Sequence, residues 1–183
     1  LDDKILLGWN ALMCSAYTAA YRALQEESWR QTAIRSMDFM LEKFRQDTGD
    51  ALLHTWKDGH AQYDAFLEDY AFLIAALVDL YEITFDLNYL RHAEKYTGLV
   101  LSYFSDPATG LFYFTGSKQT DVVMRKKDLQ DNATPSGNST MAHNLQRLGI
   151  LLGRTDWREL ALQMLKQVED AVKTYPRSFE RWA

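Results

Sequence analysis

The chain has 183 residues, 47% hydrophobic and 13% aromatic, with a formal net charge of -5. That is ample for one globular core and short for two, and the lone basic run, Arg125-Lys126-Lys127, is too small to serve a nucleic acid or an anionic membrane. No apolar run reaches transmembrane length, and the single cysteine, Cys14, lacks a disulfide partner and reads as a small buried hydrophobe.

The first predicted helix is "WNALMCSAYTAAYRAL", Trp9 to Leu24, without a charge until Arg22. The second, "WRQTAIRSMDFMLEKF", is apolar at Trp29, Ala33, Met37, Met40 and Phe44, the spacing of one helix face. After a long connection, "EDYAFLIAALVDLYEITF", Glu68 to Phe85, is apolar almost all round. "YLRHAEKYTGLVLSYF" then repeats the stripe at Tyr89, Ala93, Tyr96, Val100 and Phe104. A second long connection leads to Asn138–Leu152 and the striped "WRELALQMLKQVEDAV". The striped helices align on Trp29, Tyr89 and Trp157, each followed four residues later by Ala. Helices apolar all round are enclosed by others, whereas striped ones keep a wet face. The alternation therefore predicts an all-α fold, an α/α toroid of about three inner/outer hairpins (about 5–46, 67–104 and 138–175). Residues 1–183 form one toroid domain on this reading.

Connections orient the arc. Inner-to-outer links are short ("QEES", "DLN", "RTD"), while the outer-to-inner links, 47–64 and 105–137, far exceed the usual roughly 4–6 residues. Both long links open with a Thr-Gly turn and a β-prone run, "DTGDALLHTW" and "PATGLFYFTG", which predicts short β-hairpins there. The long links all gather at the amino ends of the inner helices. Repeat offsets align Trp9-Asn10-Ala11, Asp69-Tyr70-Ala71 and Gly137-Asn138-Ser139 as three equivalent entrances. In "DNATPSGNS", 131–139, Pro135 halts the preceding segment, Ser136 or Asn138 caps the helix, and Gly137 permits a tight turn. Helix entrances carry partial positive charge and favour anionic or hydroxyl-bearing ligands. Plain capping accounts for any one of them; three on one face outline a cleft.

Four stretches, "DDKILLGWNALM" (2–13), "LEDYAFLIAALVDLYEITFD" (67–86), "FSDPATGLFYFT" (104–115) and "DNATPSGNSTMAHNLQRL" (131–148), resemble the helical region of an uncharacterised family that includes a spermatogenesis-associated protein. Its members join an amino-terminal thioredoxin-like domain to a six-hairpin α/α toroid similar in architecture to N-acylglucosamine 2-epimerases and six-hairpin glycosidases. The resemblance implies a sugar-binding type of cavity, and it makes residues 1–183 a partial toroid domain, about half of an (α/α)6 barrel. It also implies, as partners in the full-length protein, the thioredoxin-like domain and the remaining toroid helices. It supplies no established reaction.

Glycoside chemistry needs two carboxyls flanking the scissile bond. Asp2, Asp3, Asp64, Glu68, Asp69, Asp128 and Asp131 lie on the elaborated face, and Asp69 and Asp3 lead because they sit in the motif-like stretches near equivalent entrances. Capping and the helix dipole explain a carboxylate at such a position equally well. Epimerisation instead wants bases near neutral pH, commonly histidines. His54, beside Trp56 in "LLHTW", leads His60, His92 and His143, with no second histidine placed opposite it. The catalytic candidates are thus Asp69, Asp3, Glu68 and His54. Trp9, Asn10, Trp56, Tyr70, Asp131, Ser136 and Asn138 are candidates for substrate binding. Trp9, Trp56, Tyr63 and Tyr70 supply flat rings, which pack cores and rims as readily as they stack on sugars.

No Gly-rich phosphate loop, Cys-x-x-Cys, His-Glu-x-x-His or Gly-x-Ser-x-Gly occurs, so the sequence points to no cofactor and no metal. Two readings stand. One is a carbohydrate-active enzyme, hydrolase or epimerase, taking a small-molecule carbohydrate. The other is a non-catalytic scaffold that positions a thioredoxin-like redox domain or a protein partner. A cytoplasmic protein is expected, and the start at Leu1 reads as a fragment with any targeting segment beyond it.

Overall fold

The computed structural model describes residues 3–46, 49–119 and 123–182. Asp2 and Thr48 of the first predicted turn lie outside the described residues. Three helical hairpins succeed one another: α1 (Leu7–Leu24) with α2 (Glu27–Lys43), α3 (Leu67–Thr84) with α4 (Leu87–Tyr103), and α5 (Gly137–Leu151) with α6 (Thr155–Thr174). Two 3₁₀ turns, Pro176–Ser178 and Glu180–Trp182, follow. The inner helices α1, α3 and α5 pack side by side and each outer helix backs its own inner partner, which is an arc of an α/α toroid.

Position in the arc decides burial. α3 lies between α1 and α5 and buries twelve of its residues, as expected of an enclosed helix. α1 has an inner neighbour on one side only, so it buries just Leu7, Gly8, Ala11, Cys14 and Thr18 and leaves Trp9, Met13 and Leu24 exposed. Outer helices follow their stripes: Ala33, Met37 and Met40 are buried on α2, and Trp157, Ala161, Met164 and Val168 on α6. Toward the carboxyl ends of the inner helices, Arg22 of α1 and Arg147 of α5 both bind Glu82 of α3, at 2.8 and 2.9 Å. Arg147 also reaches Asp79 at 2.8 Å, so three helices share one ion network.

The amino ends carry the sheet. β1 (Ile5–Leu6), β2 (Leu53–Lys57) and β3 (His60–Asp64) pair antiparallel in the order β1-β2-β3. The first hairpin, β2 and β3, follows the Thr-Gly stretch as the sequence reading expects, and it turns at Asp58-Gly59, where both residues take positive φ (50° and 83°). The second link, "PATGLFYFTG", pairs more briefly than expected: an antiparallel Ser105–Phe112 bridge is flanked by backbone hydrogen bonds from Asp106 N–H to the Leu111 carbonyl and from Tyr113 N–H to the Phe104 carbonyl. Side chains complete its backbone bonding: Asn138 takes both polar groups of Phe112, and Arg125 donates to the carbonyls of Thr115 and Tyr103.

The third repeat is also shifted. α1 and α3 begin 60 residues apart, but α5 begins 70 residues after α3. Trp9 and Asp69 are third in their helices whereas Gly137 is first, so Ser139 is the counterpart of Asp69. Among the described residues no helix is long and apolar enough to cross a membrane.

Candidate functional site

The entrances of α1 and α3 meet at one carboxylate. Asp69 stands in the first turn of α3, where an acidic side chain can reach back to the N–H groups that precede the helix. Its Oδ2 accepts from the Phe66 N–H at 2.9 Å, and its Oδ1 accepts from the Gly8 N–H of α1 at 3.0 Å. A third donor comes from β2, where His54 Nδ1 lies 2.8 Å from Oδ2. Gly8 makes the approach feasible, since a Cβ there would fall 2.9 Å from Asp69 Oδ1 and 3.3 Å from the Phe72 ring. Asp69 is 1% exposed, so it acts on anything in solution only through the histidine.

His54 is oriented by this contact. A carboxylate only accepts, so Nδ1 is the donor, the second ring nitrogen is left as the basic atom, and the tautomer is fixed. The Asp69 hydrogen bond raises the imidazole above its ordinary value of 6.5, opposed by desolvation that favours the neutral form. The ring also packs against Phe66, with centroids 4.9 Å apart. Its side chain keeps 22% exposure and borders an open cleft of 810 Å³ shared with Lys4, Leu6, Trp9, Asn10, Thr55 and Tyr63.

The other sequence candidates are spread more widely. Trp9 and Asn10 border this cleft, Asn10 Nδ2 donating to the Leu6 carbonyl at 2.8 Å and Trp9 remaining 65% exposed. Asp3 is exposed and pairs with Lys57 at 2.7 Å, which holds its carboxyl below the usual value. Glu68 is half-buried and near enough to His54 for their charges to couple; burial, followed by the charge of Asp69, pushes its carboxyl up. Trp56 turns toward α2 and meets the edge of Phe39 at 5.4 Å. Tyr70 is in the core, its hydroxyl accepting from the Leu52 N–H, and burial pushes it up to about 12.

Around the third entrance the polar groups largely satisfy one another, the buried Thr140 hydroxyl being left without a partner. Ser136 caps α5 by accepting from the Ser139 N–H. Asn138, 0% exposed, does not cap; it bonds both polar groups of Phe112 and the Asp128 carbonyl. Asp131 accepts from the Ser136 N–H, the Ser139 hydroxyl and the Arg181 N–H. His143 meets the Arg181 carbonyl at 2.6 Å, and His92 stacks on Tyr96, so neither faces His54. Sequence reasoning missed Gly8, Lys4 and Thr55. A glycine second in a helix, where Ala is the better helix former, is the signal that could have marked Gly8.

No family model matches the chain. It is 31% identical to spermatogenesis-associated protein 20 of Rattus norvegicus over 185 residues, covering 96% of this chain and 23% of that protein. The Homo sapiens protein of the same name is 30% identical, with 96% and 24% covered. The chain is homologous to one stretch of spermatogenesis-associated protein 20. It spans about a quarter of the length of these curated relatives.

Solved structures share the fold at low identity. Cellobiose 2-epimerase from Bacillus thermoamylovorans superposes with a TM-score of 0.74 at 15% identity, over 89% of this chain and 44% of that one. A GH76 α-mannanase of Bacteroides thetaiotaomicron gives 0.76 at 16%, over 92% and 45%. A D-mannose isomerase gives 0.72 at 14%, over 90% and 40%.

Proposed function

We propose that the cleft between α1 and the β-hairpin binds a carbohydrate-like small molecule and that His54 is its acid–base group. The observation that carries this reading is the anchored imidazole: one nitrogen is fixed 2.8 Å from a buried carboxylate while the ring edge borders an open cleft. Such an arrangement sets the tautomer and strengthens the base without exposing the carboxylate. The toroid fold, shared with sugar epimerases, isomerases and glycosidases, supports the same ligand class.

Between the two reactions, the geometry favours proton transfer over hydrolysis. Hydrolysis asks for two carboxyls flanking a bond. Here Asp69 is sealed and Asp3 is paired with Lys57, so Glu68 would have no carboxyl to work with. A single base, by contrast, can shuttle a proton between neighbouring carbons on one face of an open-chain sugar, as an aldose–ketose isomerisation requires. Neutral His54 would take the proton from C2 and return it to C1, while the hydroxyl proton passes between the two oxygens.

The test is incubation of the intact protein with D-mannose, D-glucose or cellobiose in D2O. Solvent deuterium should enter the sugar, and His54→Gln should abolish the exchange without unfolding the protein. Absence of exchange with every sugar, or exchange that persists in His54→Gln, contradicts the reading. One observation favours the scaffold alternative: Asp69 also accepts from Gly8 and Phe66, so the cluster ties α1, α3 and the hairpin together whatever the cleft does. On that reading His54→Gln changes stability and nothing else.

A further inference from the structure

Among the described residues, four other than glycine adopt positive φ. Gln25 and Phe85 cap the carboxyl ends of α1 and α3, and Asp58 lies in the hairpin turn, all places where left-handed backbone is ordinary. Tyr63 is different. It lies inside β3 at φ 62°, a conformation that a bulky side chain rarely adopts. The ladder breaks at the same point. Leu53 pairs with Asp64 and Thr55 with Gln62, while His54 and Tyr63, which the register sets opposite each other, are skipped. The strained residue is thus the cross-strand neighbour of the candidate base.

Strain here coincides with exposure. Tyr63 is 69% exposed and borders the same cleft as His54 and Trp9. Neither the Tyr63 nor the Trp9 ring packs against another aromatic ring among the described residues. Two large rings held in water beside one imidazole, one of them on strained backbone, leave apolar faces for a flat, partly apolar ligand to cover.

We propose that Trp9 and Tyr63 are stacking platforms for a pyranose ring and that they make the cleft selective for cyclic saccharides over open-chain polyols. This rests on the carbohydrate reading above and adds to it that the sugar enters as a closed pyranose, which opens in the cleft before His54 moves a proton. A gluco-configured β-pyranose holds its hydroxyls equatorial and presents axial C–H groups on both faces, the surface an aromatic ring recognises. Sorbitol carries the same kind of hydroxyl groups on a flexible chain and presents no such face.

Binding of cellobiose, methyl β-D-glucopyranoside and sorbitol to the intact protein, followed by calorimetry and by saturation-transfer NMR, tests this. Cellobiose and the glucoside should bind, with the strongest transfer to their axial ring protons, and sorbitol should not. Trp9→Ala and Tyr63→Ala should each weaken cellobiose about tenfold, the scale of one lost aromatic contact. Tyr63→Trp should retain binding. Tyr63→Gly should lose it like the alanine variant yet melt at a higher temperature than that variant, because glycine accepts the left-handed backbone that alanine resists. Wild-type binding left intact in both alanine variants overturns the stacking assignment and spares the carbohydrate reading. Equal binding of sorbitol does the same. A wild-type protein that binds none of the three overturns the carbohydrate reading, and the stacking assignment goes with it.

Discussion

The first two inner-helix entrances and the third are built from the same materials and end in different states. At the α1/α3 entrance, Asp69 collects the N–H groups of Gly8 and Phe66 and one nitrogen of His54, and the histidine borders the cleft. At the α5 entrance, Asp131, Ser136 and Ser139 bond among themselves and to the Arg181 N–H, while Asn138 is spent on Phe112 and Asp128. Both are polar networks that fix a helix start, and the third leaves the buried Thr140 hydroxyl without a hydrogen-bond partner. Only the first hands its carboxylate to an imidazole that borders the open cleft. A helix entrance decorated with polar side chains is therefore not a site by itself; what matters is whether the network carries an acid–base group to a cleft.

Substitutions at the two entrances should separate along that line. The largest effect belongs to Asp69→Ala, which orphans two buried N–H groups and frees His54. It should cost about 3–5 kcal/mol in thermal or urea unfolding, and it should remove any saccharide effect on His54. Asn138→Ala at the other entrance should cost about 2–3 kcal/mol and leave saccharide binding as it was. Gly8→Ala pushes a methyl group against Asp69 and Phe72 and should cost about 1–3 kcal/mol while disturbing the His54 tilt. Ser136→Ala removes an N-cap and should cost about 1 kcal/mol, with no consequence at the cleft. An Asn138 variant that lost binding as fully as an Asp69 variant would erase the distinction.

The smallest expected effect is on pH dependence, and its direction is fixed. The folded protein holds the His54 imidazole above its unfolded value, so the stabilisation is fully present below about pH 6.5 and fades as pH rises through the raised value. The stability difference between wild type and His54→Gln should follow that course. Asp69→Asn should move it toward ordinary histidine behaviour.

The helical plan was legible because a buried stripe must recur every turn: Ala33, Met37 and Met40, or Ala161, Met164 and Val168, mark their faces in the sequence itself. The site was legible only in part. His54 and Asp69 could each be singled out, one as a base and one as a helix-start acid, but their 2.8 Å contact spans fifteen residues and depends on where the hairpin turns. Asp58-Gly59 sets that turn, and the sequence reading had marked the Thr-Gly turn before the strands but not the turn between them. β1 is two residues long, too short for any alternation to show. Tyr70 and Asn138 went to the core because their polar atoms match backbone groups of neighbouring loops, a pairing that no local pattern announces.

The central claim concerns one imidazole, and NMR of the histidine ring resonances in the intact protein tests it most directly. On addition of cellobiose or D-mannose, the account predicts a saturable shift at His54, with its titration displaced, while His92 and His143 stay still. A His54 signal indifferent to every sugar, in a protein whose fold is intact, would contradict it.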